Sequence, residues 1–280
     1  HYNPRLAADK KEYGMDHLDL YKPEVYEFVD ALFDEYLSGA NPVFVGPEVH
    51  IGTDEYYGEE NAFRHFSDDM IKYIQGKDRT VRMWGSLTQI DGDGTVPVKS
   101  ENVQLNVWNT GYSNPKQMYN DGFDLINTLD GSLYMVPNGS GSRGGYGDYL
   151  RTEDLYKNWI PNNMGGTVIP AGSDQMLGST FAIWNDNIDT AAQGISEVDN
   201  FERFEDALPI LASKGWGEGE DLEFAAVKEK AEKLEKIIFT ETTTIGIREY
   251  PLGRSVLDRE EKEIYYKLIK GEEVNIPTVL

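Results

Sequence analysis

The chain has 280 residues, 39% hydrophobic and 12% aromatic, a composition that excludes a disordered segment and suffices for a sizeable core. Its 49 acidic and 26 basic side chains give a net charge of −23, without the basic patch by which a nucleic-acid binder displaces counterions. With no cysteine there is no disulfide framework or thiolate metal site, and no apolar run approaches the roughly 18 residues of a membrane span.

The opening "HYNPRLAADKKEYG" holds neither an initiator methionine nor an apolar signal core and reads as a cut inside a longer protein. "PEVYEFVDALFDEYL" (Pro23 to Leu37) has proline in its first turn and apolar residues at helical spacing, which predicts a helix. "PVFVGPEVHIG" predicts a buried strand, "EENAFRHFSDDMIKYIQGK" an amphipathic helix stopped by Gly76, and "TVRMWGSL" a second strand. "NVQLNVWN" is the third strand, "NPKQMYNDGF" a short helix, and "DLINTLDGSLYMVP" strand material with a bulge at Asp130–Gly131. "NGSGSRGGYG" (Asn138 to Gly147) has the composition of a mobile loop. "DYLRTEDLYKNW" predicts a helix and "GSTFAIWNDN" the last apolar strand. "NFERFEDALPILASKGWG", "DLEFAAVKEKAEKLEKIIF" and "DREEKEIYYKLIKG" predict helices towards the end.

This alternation predicts an α/β fold with parallel strands. About five strand–helix units are present, against eight in a complete barrel of about 250 residues. The pattern fits an open five-stranded sheet or the later part of a barrel, and no Gly-x-Gly-x-x-Gly phosphate loop supports a dinucleotide fold.

Polar and aromatic residues gather at the predicted strand ends: Asp54 and Glu55, then Trp84, Trp108, Tyr134, and Trp184 with Asp186. In parallel α/β folds the carboxyl ends of the strands build the site. Indole faces cover the C–H face of a pyranose and carboxylates accept its hydroxyls, so this set suits a sugar. Asp54 and Glu55 are adjacent, with Cα atoms about 3.8 Å apart and diverging side chains. They cannot easily flank one glycosidic bond as acid and nucleophile, which fits one acting on the leaving group and the other elsewhere on the substrate.

With its context, this arrangement resembles glycoside hydrolase family 20, the β-N-acetylhexosaminidases and lacto-N-biosidases. The family's His-x-Gly-Gly-Asp-Glu signature stands here as His50-Ile51-Gly52-Thr53-Asp54-Glu55, and the resemblance runs from about Leu18 to Gly217. It implies a (β/α)8 TIM barrel represented by its later part, about strands four to eight, over residues 1–217. Residues 218–280 would be a C-terminal helical extension packed on the barrel. It further implies a glycosidase that removes β-linked N-acetylhexosamine with retention, by a substrate-assisted route through an oxazolinium ion. Glu55 would be the general acid and then base; Asp54 would orient the acetamido N–H; Tyr134 would donate to the acetamido oxygen. Trp84, Trp108 and Trp184 would wall the pocket, Asp186 would hold sugar hydroxyls, and His50 would belong to the binding site or serve as a structural hydrogen-bonder. No cofactor or metal is implied. The partner would be an oligosaccharide or glycoconjugate ending in N-acetylhexosamine or lacto-N-biose, met outside a bacterial cell or on its surface.

Three departures qualify the match. Where many exo-hexosaminidases continue the tyrosine with Leu-Asp, this chain has Tyr134-Met135-Val136, and Asp186 replaces the usual Glu. Both fall where a terminal sugar is gripped, which fits a lacto-N-biosidase releasing Galβ1-3GlcNAc. Strands one to three, with the family's substrate-binding arginine, have no counterpart, and "HYNPRL" is too short to supply them. The isolated chain is therefore expected to be weakly active or inactive, or a non-catalytic glycan-binding fragment. The missing half or a second copy would cover its exposed strand edges. Among the remaining features, Trp159 and Trp216 are expected to pack helices, and "DGDG" at Asp91 to Gly94 to form a plain turn.

Overall fold

A computed structural model describes residues 4–8, 17–189, 194–216, 223–227, 229–230 and 233. After a short 3-10 turn at Pro4–Leu6, helix α1 (Pro23–Leu37) leads to strand β1 (Glu48–His50) and helix α2 (Glu60–Gln75). Strands β2 (Thr80–Trp84) and β3 (Val103–Val107), helix α3 (Pro115–Asn120) and strand β4 (Asp124–Asn127) follow. Next come the helical turn α4 (Asp130–Leu133), β5 (Tyr134–Met135), α5 (Thr152–Asn158), β6 (Asn163–Met164), β7 (Thr167–Val168), β8 (Met176–Ser179), β9 (Ala182–Ile183) and α6 (Glu197–Trp216). Two compact units result: His1–Met135 with Gly144–Gly147 and Trp159–Ala182, and Val136–Arg143 with Asp148–Asn158 and Ile183–Leu280.

The first unit is organised by a five-stranded sheet in the order β1-β2-β3-β4-β8, every neighbour parallel. Its middle strands alternate: Val81, Met83, Val103, Leu105 and Val107 lie on one face, while Arg82 and Gln104 stand side by side on the other, Arg82 donating to the Gln104 side-chain oxygen at 2.9 and 2.6 Å. Val81, Met83, Val103, Leu105, Val107 and Leu125 have no exposed surface. Helix α2 turns Phe63, Met70, Ile71 and Ile74 onto the same core, and its Gly76 cap donates its backbone N–H to the Lys72 carbonyl. Each such side chain stabilises the fold by about 2 kcal/mol, so the core outweighs strain of about 1 kcal/mol at single residues. The carboxyl end of the sheet is polar. Asn106 donates to the Thr128 hydroxyl at 2.9 Å, and Asn127 donates to the Pro161 carbonyl at 2.7 Å.

Several local expectations are corrected. In "PVFVGPEVHIG" only Glu48–His50 is strand, and Val43, Phe44 and Val45 are exposed, Phe44 stacking on Tyr36. The apolar run has no neighbouring strand among the described residues to pair with. Asp130–Gly131 begins a helical turn, not a bulge, with the Tyr134 N–H closing on the Asp130 carbonyl. The fifth strand of the sheet is β8, which starts at Met176 and shares only Gly178 and Ser179 with the predicted "GSTFAIWNDN"; Thr180 and Phe181 separate it from β9.

In the second unit α5 packs on α6, which buries Arg203, Ala207, Ile210 and Leu211. Ser196 and Asp199 cap α6 reciprocally: Asp199 accepts the Ser196 backbone N–H at 2.7 Å, and Ser196 Oγ accepts the Asp199 N–H at 3.2 Å. The glycine-rich segment here is tied down, contrary to the mobile loop its composition predicts. The buried Asp148 carboxylate accepts the backbone N–H groups of Asn138, Gly139 and Gly141 and two bonds from the Arg203 guanidinium. Trp216, expected to pack, is 90% exposed. The predicted helices after Gly217 fall almost wholly outside the described residues.

Candidate active site

Strand β1 ends at His50, whose Nδ1 accepts the Gly52 backbone N–H at 3.0 Å. Its ring meets Trp84, at the end of β2, edge to face at 5.2 Å. Although His50 presents surface to solvent, crowding around its ring, then the charge of Arg82, hold its pKa down at about 4, so the imidazole is neutral and available as an acceptor. His50 thus shapes the turn leading to the carboxylates.

Within that turn Thr53 (φ 61) and Glu55 (φ 42) both adopt the left-handed backbone region, uncommon for residues with a Cβ and most strained for a β-branched one. The chain thereby leaves the sheet and gives its two acids different partners. Asp54 Oδ1 accepts the Ser86 hydroxyl at 2.8 Å and the Glu55 backbone N–H at 3.0 Å. Glu55 Oε1 accepts the Tyr112 hydroxyl at 3.4 Å. Although Asp54 presents surface to solvent, crowding of its carboxylate raises its pKa. The Ser86 hydrogen bond opposes this and the Glu55 charge reinforces it. The Trp108 indole N–H faces Asp54 and steadies its charged form, without completing a hydrogen bond of ordinary geometry.

Trp108 follows β3, is buried, and lies 4.3 Å from the Tyr112 ring. Tyr134 opens β5 and is buried; its carbonyl accepts the Tyr146 N–H at 3.1 Å, and the two rings meet edge to face at 5.7 Å. Asp130 Oδ2 accepts the Tyr146 hydroxyl at 2.8 Å and the Asn109 amide at 3.1 Å. On the other flank, His17 Nε2 accepts the Tyr57 backbone N–H at 2.9 Å, its ring stacked on Tyr56 and Tyr57.

Of the residues expected from sequence, the first unit holds His50, Asp54, Glu55, Trp84, Trp108 and Tyr134 at the carboxyl side of its sheet. Trp184, half-buried, and Asp186, exposed on a turn, belong to the second unit. Sequence reasoning missed Ser86, Tyr112, Asp130 and Tyr146. Tyr112 and Ser86 could have been suspected, each lying just beyond a strand-end tryptophan. Asp130 and Tyr146 were hidden by the bulge and mobile-loop readings. Among the described residues, no group of three or more His, Asp or Glu could hold a metal ion, and no helix is long and apolar enough to cross a membrane.

The family model for the catalytic domain of glycosyl hydrolase family 20 matches residues 57–198, just over half of the chain, beginning directly after this turn. A nickel insertion protein model matches residues 208–276, most of them outside the described set. The lacto-N-biosidase of Bifidobacterium bifidum is 25% identical over 249 residues, covering 78% of this chain and 21% of that protein. The chain thus spans about a fifth of the length of this curated relative. A β-N-acetylhexosaminidase structure from Bacteroides fragilis aligns with a TM-score of 0.58 at 19% identity, over 81% of this chain and 46% of that one. A Streptomyces plicatus β-hexosaminidase mutant in complex with product (GlcNAc) aligns at 0.57 and 18% identity, over 79% and 42%. Dispersin B aligns at 0.55 and 17% identity, over 77% and 65%. These likenesses give the fold: an α/β parallel sheet forming part of a TIM barrel.

Proposed function

Because this chain belongs to glycosyl hydrolase family 20, we propose that it carries the catalytic pair of a retaining β-N-acetylhexosaminidase acting by substrate assistance. The observation that carries the reading is the division of labour between neighbours. Asp54 is held by Ser86, and Glu55 faces Tyr112. Adjacent carboxylates turned to different partners do not easily flank one glycosidic bond as enzymic nucleophile and acid, which supports a division of roles between them. The nucleophile then comes from the substrate.

In the first step the 2-acetamido oxygen attacks C1, the bond from C1 to the leaving oxygen breaks, and Glu55 gives that oxygen its proton. Asp54 accepts the acetamido N–H and offsets the positive charge of the oxazolinium ion, while the Tyr134 hydroxyl donates to the acetamido oxygen. In the second step the Glu55 carboxylate takes a proton from water, whose oxygen attacks C1 from the vacated face. The bond from C1 to the acetamido oxygen breaks, the oxazolinium ring opens to the acetamide, and the configuration is retained. Trp84 and Trp108 wall the sugar and its acetamido methyl group.

A second reading, a lacto-N-biosidase of the same mechanism, is favoured by Met135-Val136 after Tyr134: many exo-hexosaminidases carry Leu-Asp there, and the aspartate that grips a terminal sugar is replaced by Val136. A silent glycan-binding fragment is the third, in which Trp84 and Trp108 hold a sugar without turnover. Turnover by the isolated chain is weak or absent on this view, and the whole protein works outside a bacterial cell or on its surface. Incubation with nitrophenyl β-N-acetylglucosaminide and nitrophenyl lacto-N-biose, with the product anomer followed by NMR, separates the three. β-Product from the first supports the hexosaminidase, from the second the biosidase, and α-product from either overturns the mechanism.

A further inference from the structure

Glu55 is bordered by aromatic side chains that the steps above do not use. Tyr57, two residues on, is 60% exposed and Tyr146 is 53% exposed, beside a Tyr112 whose hydroxyl reaches Glu55. Each ring is packed on one side only, Tyr57 on His17 and Tyr146 on Tyr134, and presents its other side to solvent beside Glu55. Tyr146 is also strained: its φ of 55 places a bulky residue in the left-handed region, at a cost of about 1 kcal/mol. It is held there deliberately by its surroundings. Its hydroxyl is anchored on Asp130, its N–H on the Tyr134 carbonyl, and Gly145 lies so close to Gly131 that a Cβ would stand 2.5 Å from the Gly131 oxygen. Backbone strain with an exposed ring beside a candidate acid points to a ligand.

The chemistry of that ligand can be read from the same groups. Tyrosine rings cover the C–H face of a pyranose, and their hydroxyls bind its polar edge. Burial, then Tyr57, push the Tyr112 hydroxyl up to about 12; burial, then Asp130, push Tyr146 up to about 12, and the Glu55 charge adds to both. Each hydroxyl therefore keeps its single proton, which Tyr112 gives to Glu55 and Tyr146 to Asp130, and offers a sugar hydroxyl its oxygen lone pairs. Among the described residues Asp130 Oδ1 accepts only the Gly131 N–H, at 2.7 Å, which leaves carboxylate lone pairs for a hydroxyl. Two carboxylates, and no cation among these side chains, disfavour an anionic sugar.

A general acid stands over the bond it protonates, with the cleaved sugar on one side and the leaving group on the other. Asp54 and Tyr134 are given to the cleaved sugar. We propose that Tyr57, Tyr112, Tyr146 and the Asp130–Asn109 pair form the subsite for the leaving group, and that this group is an uncharged pyranose. The inference deepens the proposed function and rests on Glu55 being the acid.

The test uses saturation-transfer NMR on the unmodified chain with the cleaved-sugar position filled by an N-acetylglucosamine thiazoline. Free N-acetylglucosamine is then added as the probe of the second position, with glucuronate as an anionic control. Tyr146→Gly suits the left-handed backbone and keeps the fold while deleting the ring, and Tyr57→Ser removes the other exposed ring. The proposal expects protein-to-sugar transfer for N-acetylglucosamine, at least fivefold less for glucuronate, and at least a fivefold loss in each variant. Thiazoline that binds without any second-site signal, or a signal unchanged in both variants, overturns the proposal alone. Thiazoline that fails to bind the unmodified chain overturns the acetamido reading, and this inference falls with it.

Discussion

The hydroxyl of Ser86, itself fully buried, donates to the Asp54 carboxylate at 2.8 Å. Crowding of the carboxylate pushes the Asp54 pKa up and this bond pulls it back, so Ser86 favours the ionised Asp54 that accepts an N–H. Ser86→Ala removes the restraint. The acid limb of the pH–kcat/KM profile is expected to move to higher pH, with about a fivefold loss at acidic pH, about 1 kcal/mol for a hydrogen bond to a carboxylate that solvent partly screens. An unmoved acid limb would show that Asp54 need not be ionised.

Thr53 occupies a left-handed position (φ 61) where the family signature carries glycine. Thr53→Gly removes Cβ strain against a smaller entropic cost in the unfolded chain, a net gain of about 0.5 to 1 kcal/mol. Thermal unfolding is expected to rise by a few degrees. A lower melting temperature would mean that the Thr53 hydroxyl, which donates to the Gly52 carbonyl at 2.5 Å, matters more than the strain.

The fold and the acid pair were legible in sequence for a physical reason. Helical periodicity fixed α1 from Pro23 to Leu37 to the residue, and apolar runs located β2 and β3, because these elements are shaped by burial. What sequence hid lies where tertiary contacts decide. The Gly-rich stretch after Asn138 reads as mobile until Asp148 is seen gathering its backbone N–H groups. Asp130 reads as a bulge until its helical turn and its bond to Tyr146 are seen. Val43 to Val45 were misplaced because β-propensity cannot tell whether a partner strand is present.

In the second unit Arg203 and Asp148 form a buried ion pair at 2.7 Å. Arg203→Met leaves the carboxylate buried with only backbone donors and is expected to cost about 3 to 5 kcal/mol in denaturant unfolding. A loss below about 1 kcal/mol would show that the three backbone N–H groups suffice.

Acid acts on two groups in turn. His50 has its pKa held at about 4, below the usual histidine value, so it favours folding when neutral. Its contribution is complete above about pH 6.5 and is lost as pH falls towards 4. Burial raises the Asp148 pKa, but hydrogen bonds from backbone N–H groups and Arg203 outweigh this and lower it. Its contribution is present above the ordinary aspartate range and is lost only below it. Unfolding followed against pH is therefore expected to weaken in two stages, and His50→Gln is expected to flatten the first. A profile unchanged by that substitution would exclude His50 as the cause.

The central claim is that Asp54, not Glu55, serves the acetamido arm. Calorimetric titration of an N-acetylglucosamine thiazoline into the unmodified chain, Asp54→Asn and Glu55→Gln measures it directly. The account predicts binding by the unmodified chain and a loss of affinity in Asp54→Asn at least tenfold greater than in Glu55→Gln. No binding by the unmodified chain, or equal losses in the two variants, would contradict it.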